Sequence, residues 1–177
     1  MVRRGDWITV PRFGADGTVT EGGTLKLRDF IDMVTDRARE RLNENGFAEG
    51  YSAEETEEVA RQVGIAALKF ADLSNPRTSD YIFDLDRFMA FEGKTGPYLL
   101  YAAVRIKSLL RKAVDAGLSS GDISVSEPSE RGLVLSLDAF DRALSNAAEK
   151  RAPHMLCEHI FRLAQSFSRF YTDCPIL

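Results

Sequence analysis

The sequence predicts a mostly α-helical protein with a short irregular or β-rich segment at its N-terminus. Beyond residue 26, apolar residues recur three or four positions apart in five separate segments, which is the spacing of amphipathic helices. The first 26 residues lack this spacing and are rich in Thr, Val and Gly, with glycines that are typical of turns. The predicted organisation is an irregular or β-rich segment at 1–26 and a helical domain at 27–177.

The first two helices are predicted from their apolar faces and from their ends. The first carries its apolar residues on one face and ends before Gly46. The second begins at Ser52 and Glu55, a capping-box pair in which each side chain accepts a hydrogen bond from a backbone N–H. It ends before Pro76, because the residue preceding a proline is disfavoured in a helix. The next stretch, 79–91, is expected to hold a short extended segment and a short helical turn.

The third helix is predicted to follow the loop at 93–97 and to run to about Gly117. Pro97 suits a first turn, where its missing N–H is not needed, and Thr95 is available as the cap. With about 100° per residue, one apolar arc is expected to face the core: Leu99, Ala102, Ala103, Ile106, Leu109, Leu110 and Ala113. The narrower arc beside it, here called the tyrosine stripe, holds Tyr98, Tyr101, Arg105, Ser108 and Lys112.

Two more helices are predicted near the C-terminal end, after a flexible linker at 118–132. This linker is rich in Ser, Gly and Glu and contains Pro128. Both helices are indicated by apolar residues at helical spacing. These are Leu137, Phe140, Ala143, Leu144 and Ala147 in the first helix and Leu156, Ile160, Leu163, Phe167 and Phe170 in the second.

The charge of the chain is distributed unevenly along its 177 residues. The net charge is −4, yet the stretch from Glu92 to Lys112 contains five bases and one acid, which leaves −8 on the rest. An acidic protein is a poor binder of duplex nucleic acid, because sequence-independent binding needs many phosphate contacts. A local patch of rings and cations suits an unstacked base and its phosphates. From the residues alone, the tyrosine stripe is equally consistent with a structural boundary of the helix and with a nucleic-acid-binding surface.

Other functional classes find little support in the sequence. No apolar run is long enough to cross a membrane, so no membrane partner is expected. Cys157 and Cys174 are too few for a disulfide framework and are expected to be reduced thiols of a cytoplasmic protein. The Gly-Lys-Thr triplet at 93–95 lacks the glycine spacing of a phosphate-binding loop, and His154, Cys157 and His159 form no complete ligand set. No catalytic residue and no metal site are therefore predicted.

Several longer strings resemble the C-terminal part of bacterial arginyl-tRNA synthetase. They are Ala-Leu-Lys-Phe-Ala-Asp-Leu-Ser at 67–74, Arg-Thr-Ser-Asp-Tyr-Ile-Phe-Asp at 77–84 and Phe-Glu-Gly-Lys-Thr-Gly-Pro-Tyr-Leu-Leu-Tyr-Ala at 91–102. Shorter similar strings lie at 22–29, 153–155 and 170–177. The resemblance therefore covers nearly the whole chain and keeps the family's order and approximate spacing.

The resemblance implies an α-helical anticodon-binding domain at 27–177 that follows the end of a class I catalytic domain at 1–26. Its partner would be tRNA, and specifically the tRNA for arginine. Carried over from the family, Tyr98 and Tyr101 would stack on or brace anticodon nucleotides, and Arg105 would contact base edges or phosphate. Lys94 lies in the loop that approaches the anticodon. Lys112 is assigned to phosphate contacts on its charge alone.

The resemblance also implies a parent enzyme that ligates arginine to its tRNA with ATP and Mg. This chain has no His-x-Gly-His type signature, and from Gly14 to Gly23 it has no lysine or arginine where the family has a phosphate-contacting lysine. Glu21 in that segment has the wrong sign to stabilise a phosphate. The chain alone is therefore expected to be inactive and to hold no cofactor. A closing C-terminal helix of the family is absent, so self-association through the incompletely covered last two helices is expected.

Three interpretations of the function stay open at this point. The first is a tRNA-binding piece of arginyl-tRNA synthetase. The second is a free-standing paralogue that has lost catalysis and binds tRNA or regulates another process. The third is a helical protein-interaction module that does not use the tRNA surface.

Overall fold

Seven helices and one two-stranded sheet occur in the part of the chain that the computed structural model describes, residues 10–13, 19–23, 26–79 and 84–176. The strands are β1 (Val10–Phe13) and β2 (Val19–Gly23). The helices are α1 (Leu27–Glu44), α2 (Ala53–Leu73), α3 (Leu85–Phe88), α4 (Gly96–Asp115), α5 (Pro128–Asp138), α6 (Phe140–Glu149) and α7 (Pro153–Asp173). The predicted mostly α-helical fold class with a short β-rich N-terminal segment is confirmed.

The two strands pair antiparallel near the N-terminus. Val10 lies opposite Gly23 and Phe13 lies opposite Val19, with an irregularity in the register after Val10. The cation-free segment noted in the sequence at 14–23 lies partly outside the described residues, since 14–18 are not among them. Within the stretch 79–91, residues 80–83 also lie outside the described residues, so the extended segment predicted for this stretch stays a prediction. The helical turn predicted there is α3.

The backbone divides into two compact units, with the division inside α2 between Ile65 and Ala66. In the first unit, the apolar face of α1 is buried as predicted, and Val34, Ala38 and Leu42 are at most 4% exposed. The second helix begins as the capping box predicted, because the Ser52 N–H donates to the Glu55 carboxylate at 2.8 Å and the Glu55 N–H donates to the Ser52 hydroxyl at 3.2 Å.

The second unit is arranged around α7, which packs against α4, α5 and α6. Its buried apolar residues come from every helix of the unit except α3 and α5, and also include Met89 after α3. They are Ala67, Phe70, Ala71, Met89, Ala102, Ala147, Ala164, Phe167 and Cys174. Many of these residues are small, so the helices of this unit approach each other closely. None of the described helices combines the length and the hydropathy that a membrane span requires.

The face of α4 that packs against the protein differs from the predicted one. Ile106 and Leu110 were expected in the core but are 37% and 60% exposed. Ala102 is buried as expected, whereas Tyr98 and Arg105 of the tyrosine stripe are half-buried toward α7. The physical reason is that Tyr and Arg bury much apolar surface beside their polar tips. The helical wheel ranked aliphatic residues above Tyr and Arg and therefore misplaced the packed face; Ala103, also expected in the core, is exposed.

The flexible linker predicted at 118–132 is shorter in the structure. Irregular backbone occupies 118–126, and α5 already begins at Pro128, where a proline is favoured because its N–H is not needed. The Glu130 carboxylate accepts the backbone N–H groups of Ser126 and Glu127 at 2.8 and 2.9 Å. These backbone hydrogen bonds lower the pKa of Glu130 and fix the start of the helix.

The start of α4 requires glycine at position 96. A Cβ added to Gly96 would lie 2.3 Å from the carbonyl oxygen of Ala66 in α2. We expect Gly96→Ala to lower the free energy of unfolding by about 1–3 kcal/mol, because the clash is with backbone and cannot be relieved by a rotamer change. Gly121→Ala is the matched control, since a Cβ there meets nothing within 4 Å. Urea unfolding of both variants tests this, and equal stabilities would contradict the contact.

Candidate nucleic-acid interface

Thr95 fixes the point at which α4 begins. Its side chain is almost fully buried and accepts the backbone N–H of Tyr98 at 3.2 Å, as the sequence predicted for a cap. The same hydroxyl donates to the carbonyl oxygen of Ala90 at 2.6 Å. The preceding Gly93 has a φ of +78°, a conformation that glycine adopts without strain. Together these features fix how α4 is rotated about its own axis and therefore which way the side chains of the tyrosine stripe face.

Lys94, the loop residue of the predicted site, is already engaged within the protein. Its Nζ lies 2.5 Å from Oε2 of Glu158 on α7. The other oxygen of Glu158 accepts Nε of Arg162 at 3.0 Å, so that two cations share one carboxylate. The hydrogen bond from Lys94 is the main reason that the pKa of Glu158 lies below its ordinary value.

Tyr98 packs against the same helix one turn further along. Its ring meets Phe161 edge to face with 5.6 Å between centroids and an interplanar angle of 62°, a favourable geometry for two aromatic rings. Its hydroxyl lies 3.4 Å from the hydroxyl of Ser168. With both the ring and the hydroxyl engaged and the residue half-buried, Tyr98 braces α4 on α7.

Arg105 lies between two tyrosine rings. Its guanidinium carbon is 4.2 Å from the ring centroid of Tyr171 on α7 and 5.5 Å from that of Tyr101 on α4. Both rings are near the surface, since Tyr101 is 42% and Tyr171 is 38% exposed. A guanidinium above a ring is attracted by the negative face of the π system. The arrangement presents a cation against two aromatic rings that solvent can reach.

A cavity of about 620 Å³ opens beside this stack. Arg105, Ser108, Leu109 and Lys112 line it on the α4 side, and residues 171–176 line it on the other. Its size lies within the range of about 300–1,000 Å³ that is usual for ligand pockets. Of the predicted site residues, the structure therefore brings Arg105 and Lys112 to one cavity and places Tyr101 next to Arg105. It places Lys94 and Tyr98 elsewhere along the α4–α7 contact.

Tyr171 is a residue that the sequence patterns did not identify. It follows Phe170 on a different face of α7, and no spacing rule connects it with a residue 66 positions earlier in the chain. The signal that was available was its place in the string at 170–177, which had been noted for its resemblance alone. Its contact with Arg105 is long-range in sequence and becomes visible only when the helices are packed.

The histidines and cysteine near the start of α7 do not assemble into a site. His159 lies against Phe140 of α6, with 6.0 Å between ring centroids. Burial raises the pKa of the Cys157 thiol, which opposes the thiolate form that would act as a nucleophile or ligand. Throughout the described ranges, no three His, Cys, Asp or Glu side chains are placed to hold a metal ion.

Two known families match different parts of the chain. Residues 99–177 match the DALR anticodon binding domain, and residues 13–85 match the catalytic domain of class I (R) tRNA synthetases. The first match contains the tyrosine stripe from residue 99 onward, Tyr171 and the whole lining of the cavity.

Curated relatives extend over both parts. The arginine–tRNA ligase of Maricaulis maris is 59% identical over 167 residues, which are 93% of this chain and 28% of that protein. The arginine–tRNA ligase of Hyphomonas neptunium is 52% identical over 166 residues, with 92% and 28% covered. The solved arginyl-tRNA synthetase of Thermus thermophilus superposes with a TM-score of 0.73 and 30% identity, over 88% of this chain and 26% of that one. The chain thus spans a little over a quarter of the length of these relatives.

The domain boundary is placed differently by each observation. The match to the catalytic domain continues to residue 85, whereas the backbone divides between residues 65 and 66. The boundary drawn from the sequence at 26/27 stays a prediction.

Proposed function

We propose that this chain is the anticodon-binding module of an arginine–tRNA ligase, because residues 99–177 match the DALR anticodon binding domain and residues 13–85 match the catalytic domain of class I (R) tRNA synthetases. Its proposed partner is tRNA, with the tRNA for arginine as the preferred species. A cytoplasmic location belongs to the same proposal and agrees with two cysteines that are not paired.

The observation that carries the proposal is the stack of Tyr101, Arg105 and Tyr171 at the rim of the cavity. An anticodon nucleotide is single-stranded, so its base can leave the stack of its neighbours and lie on an aromatic or guanidinium surface. Arg105 lies over the Tyr171 ring at 4.2 Å and offers N–H donors to a base edge or a phosphate. Lys112 lines the same cavity and adds a second positive charge for a phosphate.

The other predicted residues have supporting roles in this proposal. Tyr98 braces α4 through Phe161 and is half-buried, whereas Tyr101 is 42% exposed. Lys94 lies in the loop before α4 and is paired with Glu158. The two interpretations of the tyrosine stripe thus apply to different residues of it: Tyr98 is structural, and Tyr101, Arg105 and Lys112 form the proposed binding surface.

ATP and Mg are part of the proposal for the longer enzyme only. Across the described residues no set of carboxylates, histidines or cysteines fits a metal ion, so no step of the ligation is assigned to them. A natural paralogue without catalysis is the alternative within the same family. The coding sequence upstream of this chain distinguishes the two, since a nucleotide-binding fold encoded in the same polypeptide would exclude the paralogue.

A second copy of the chain is the other proposed partner. Leu137 in α5 and Phe140 and Leu144 in α6 are 53%, 36% and 44% exposed, although all three were expected to be apolar contacts of the C-terminal helices. Neighbouring exposed apolar side chains favour association, because burial removes them from water.

We expect Tyr101→Ala to weaken the binding of the arginine tRNA by about 1–3 kcal/mol, which is the usual loss when a ring that stacks on a base is removed. Filter binding with a transcript of that tRNA measures it. Tyr51→Ala is the matched control, because Tyr51 is 52% exposed and lies in the other unit of the chain. An unrelated tRNA that binds equally well, or a Tyr101→Ala variant with unchanged affinity, would contradict the proposal.

Lys112 and Arg111 provide a matched pair on α4. Both are exposed, but only Lys112 is among the residues lining the cavity. We expect Lys112→Ala to reduce the slope of log K against log salt concentration by about 1, because one phosphate contact is lost. Arg111→Ala is expected to leave the slope nearly unchanged. The idea fails if both variants change the slope equally.

Sedimentation at increasing protein concentration tests the self-association. We expect a reversible monomer–dimer equilibrium that Leu144→Lys shifts toward the monomer, since a charge in the centre of an apolar contact must be desolvated. Leu73→Lys is the control, because Leu73 is 43% exposed in α2 and lies outside the proposed patch. A strict monomer at every concentration excludes the second copy as a partner.

A further inference from the structure

We propose that Lys94 is a positioning residue of the tRNA-binding surface, whose ion pair with Glu158 holds α4 at one register along α7; this inference rests on the proposed function. The family resemblance of the loop before α4 predicts that Lys94 contacts tRNA. The geometry instead gives its charge a partner within the protein, at 2.5 Å.

The ion pair belongs to a series of contacts between α7 and the segment formed by α4 and the loop before it. Lys94 meets Glu158, Tyr98 meets Phe161 and Ser168, and Arg105 meets Tyr171. The residue numbers rise together on both sides, so α4 and α7 run parallel and each contact limits sliding of one helix along the other. A helix rises about 1.5 Å per residue, so a shift at the Lys94 end is transmitted through α4 to Arg105.

The carboxylate of this pair has a second partner on its own helix. Glu158 accepts a hydrogen bond from Arg162, four residues further along α7 and 70% exposed, and the Glu158 and Lys94 side chains are themselves 38% and 39% exposed. On the Lys94 side, the neighbouring Thr95 is buried and hydrogen-bonded on both sides. Both ends of the ion pair are thus attached to rigid parts of the fold, which is what a contact must have in order to position a helix.

Direct binding of a phosphate by Lys94 is opposed by its surroundings. A phosphate that reached the ammonium would approach the Glu158 carboxylate, which carries the same sign as the phosphate. The ammonium has two further N–H donors, but a phosphate on them would compete with Glu158 for the same charge and weaken the tie between the loop and α7. Positioning uses the pair as it stands, whereas phosphate binding works against it.

The two roles predict opposite results for Glu158→Gln, measured with the 177-residue chain and a transcript of the arginine tRNA. If Lys94 positions α4, Lys94→Met and Glu158→Gln both weaken binding, by about two- to fivefold as expected for a partly exposed pair, and keep the wild-type salt slope. The exchange Lys94→Glu with Glu158→Lys is made in the Arg162→Gln background, because Arg162 would otherwise repel the exchanged lysine, and it restores the affinity of that background. Glu149→Gln on α6 controls for the loss of one negative charge.

If Lys94 binds phosphate instead, Glu158→Gln tightens binding and Lys94→Met lowers the salt slope by about 1. Either result overturns the inference.

A measurement without tRNA separates this inference from the proposed function. The Nε–Hε signal of Arg105 in NMR reports the ring current of Tyr171, against which the guanidinium lies at 4.2 Å. Positioning predicts that Lys94→Met and Glu158→Gln shift this signal while circular dichroism shows an unchanged helix content, and that the exchange variant returns it. An unmoved Arg105 signal refutes positioning even if tRNA binds. A moved signal in a chain that binds no tRNA refutes the proposed function and leaves the mechanical coupling established.

Discussion

The packing of α4 along α7 is the contact on which the rest of the candidate interface depends. The first residue of α4, Gly96, lies so close to the backbone of Ala66 in α2 that a Cβ would not fit. Another side of the helix lies along α7, which it contacts through Tyr98 and Arg105 and, in the preceding loop, through Lys94. A helix that is fixed at its first residue and at two later points cannot rotate, so the stack at the cavity rim is formed in advance. Preformed recognition surfaces lose less entropy on binding than flexible ones.

The interface is therefore made of two elements, although the sequence presented it as one. Each predicted side chain on or before α4 that contacts α7 finds a partner of suitable chemistry there: a carboxylate for Lys94, a ring and a hydroxyl for Tyr98, and a ring for Arg105. The local excess of positive charge in 92–112 is reduced by this pairing. What stays available in the cavity is the positive charge of Arg105 and Lys112, opposed by Asp173 in the same lining. A small number of cations suits recognition of a few nucleotides better than attraction of any nucleic acid.

Features set by residues that are close in sequence were predictable, and features set by the packing of one helix on another were not. The cap at Thr95, the capping box at Ser52 and the buried face of α1 follow from local rules, and the structure confirms them. The core face of α4 was misplaced because the helical wheel weighs Ile and Leu above Tyr and Arg, whereas α7 packs on the rings and aliphatic stems of the latter. The sequence pattern predicts that Pro128 lies in the linker, but a proline is also favoured in the first turn of a helix, and α5 begins there. The start of α5 is stabilised by the hydrogen bond from the Glu127 N–H to the Glu130 carboxylate.

The half-burial of Arg105 joins the structural and the functional interpretation of the tyrosine stripe. A fully exposed Arg105 would lose much rotamer entropy on binding, and a fully buried one could not reach a ligand. Tyr171 at 4.2 Å restrains the guanidinium, while the exposed parts of Tyr101 and Tyr171 keep the site open to solvent. Lysine could not replace arginine in this place, because an ammonium is a compact, strongly hydrated charge without a plane to stack. The stack needs a planar cation, which explains why an arginine, Arg105, lies beside the two tyrosines. Lys94 pairs with a single carboxylate, and for that contact a lysine is sufficient.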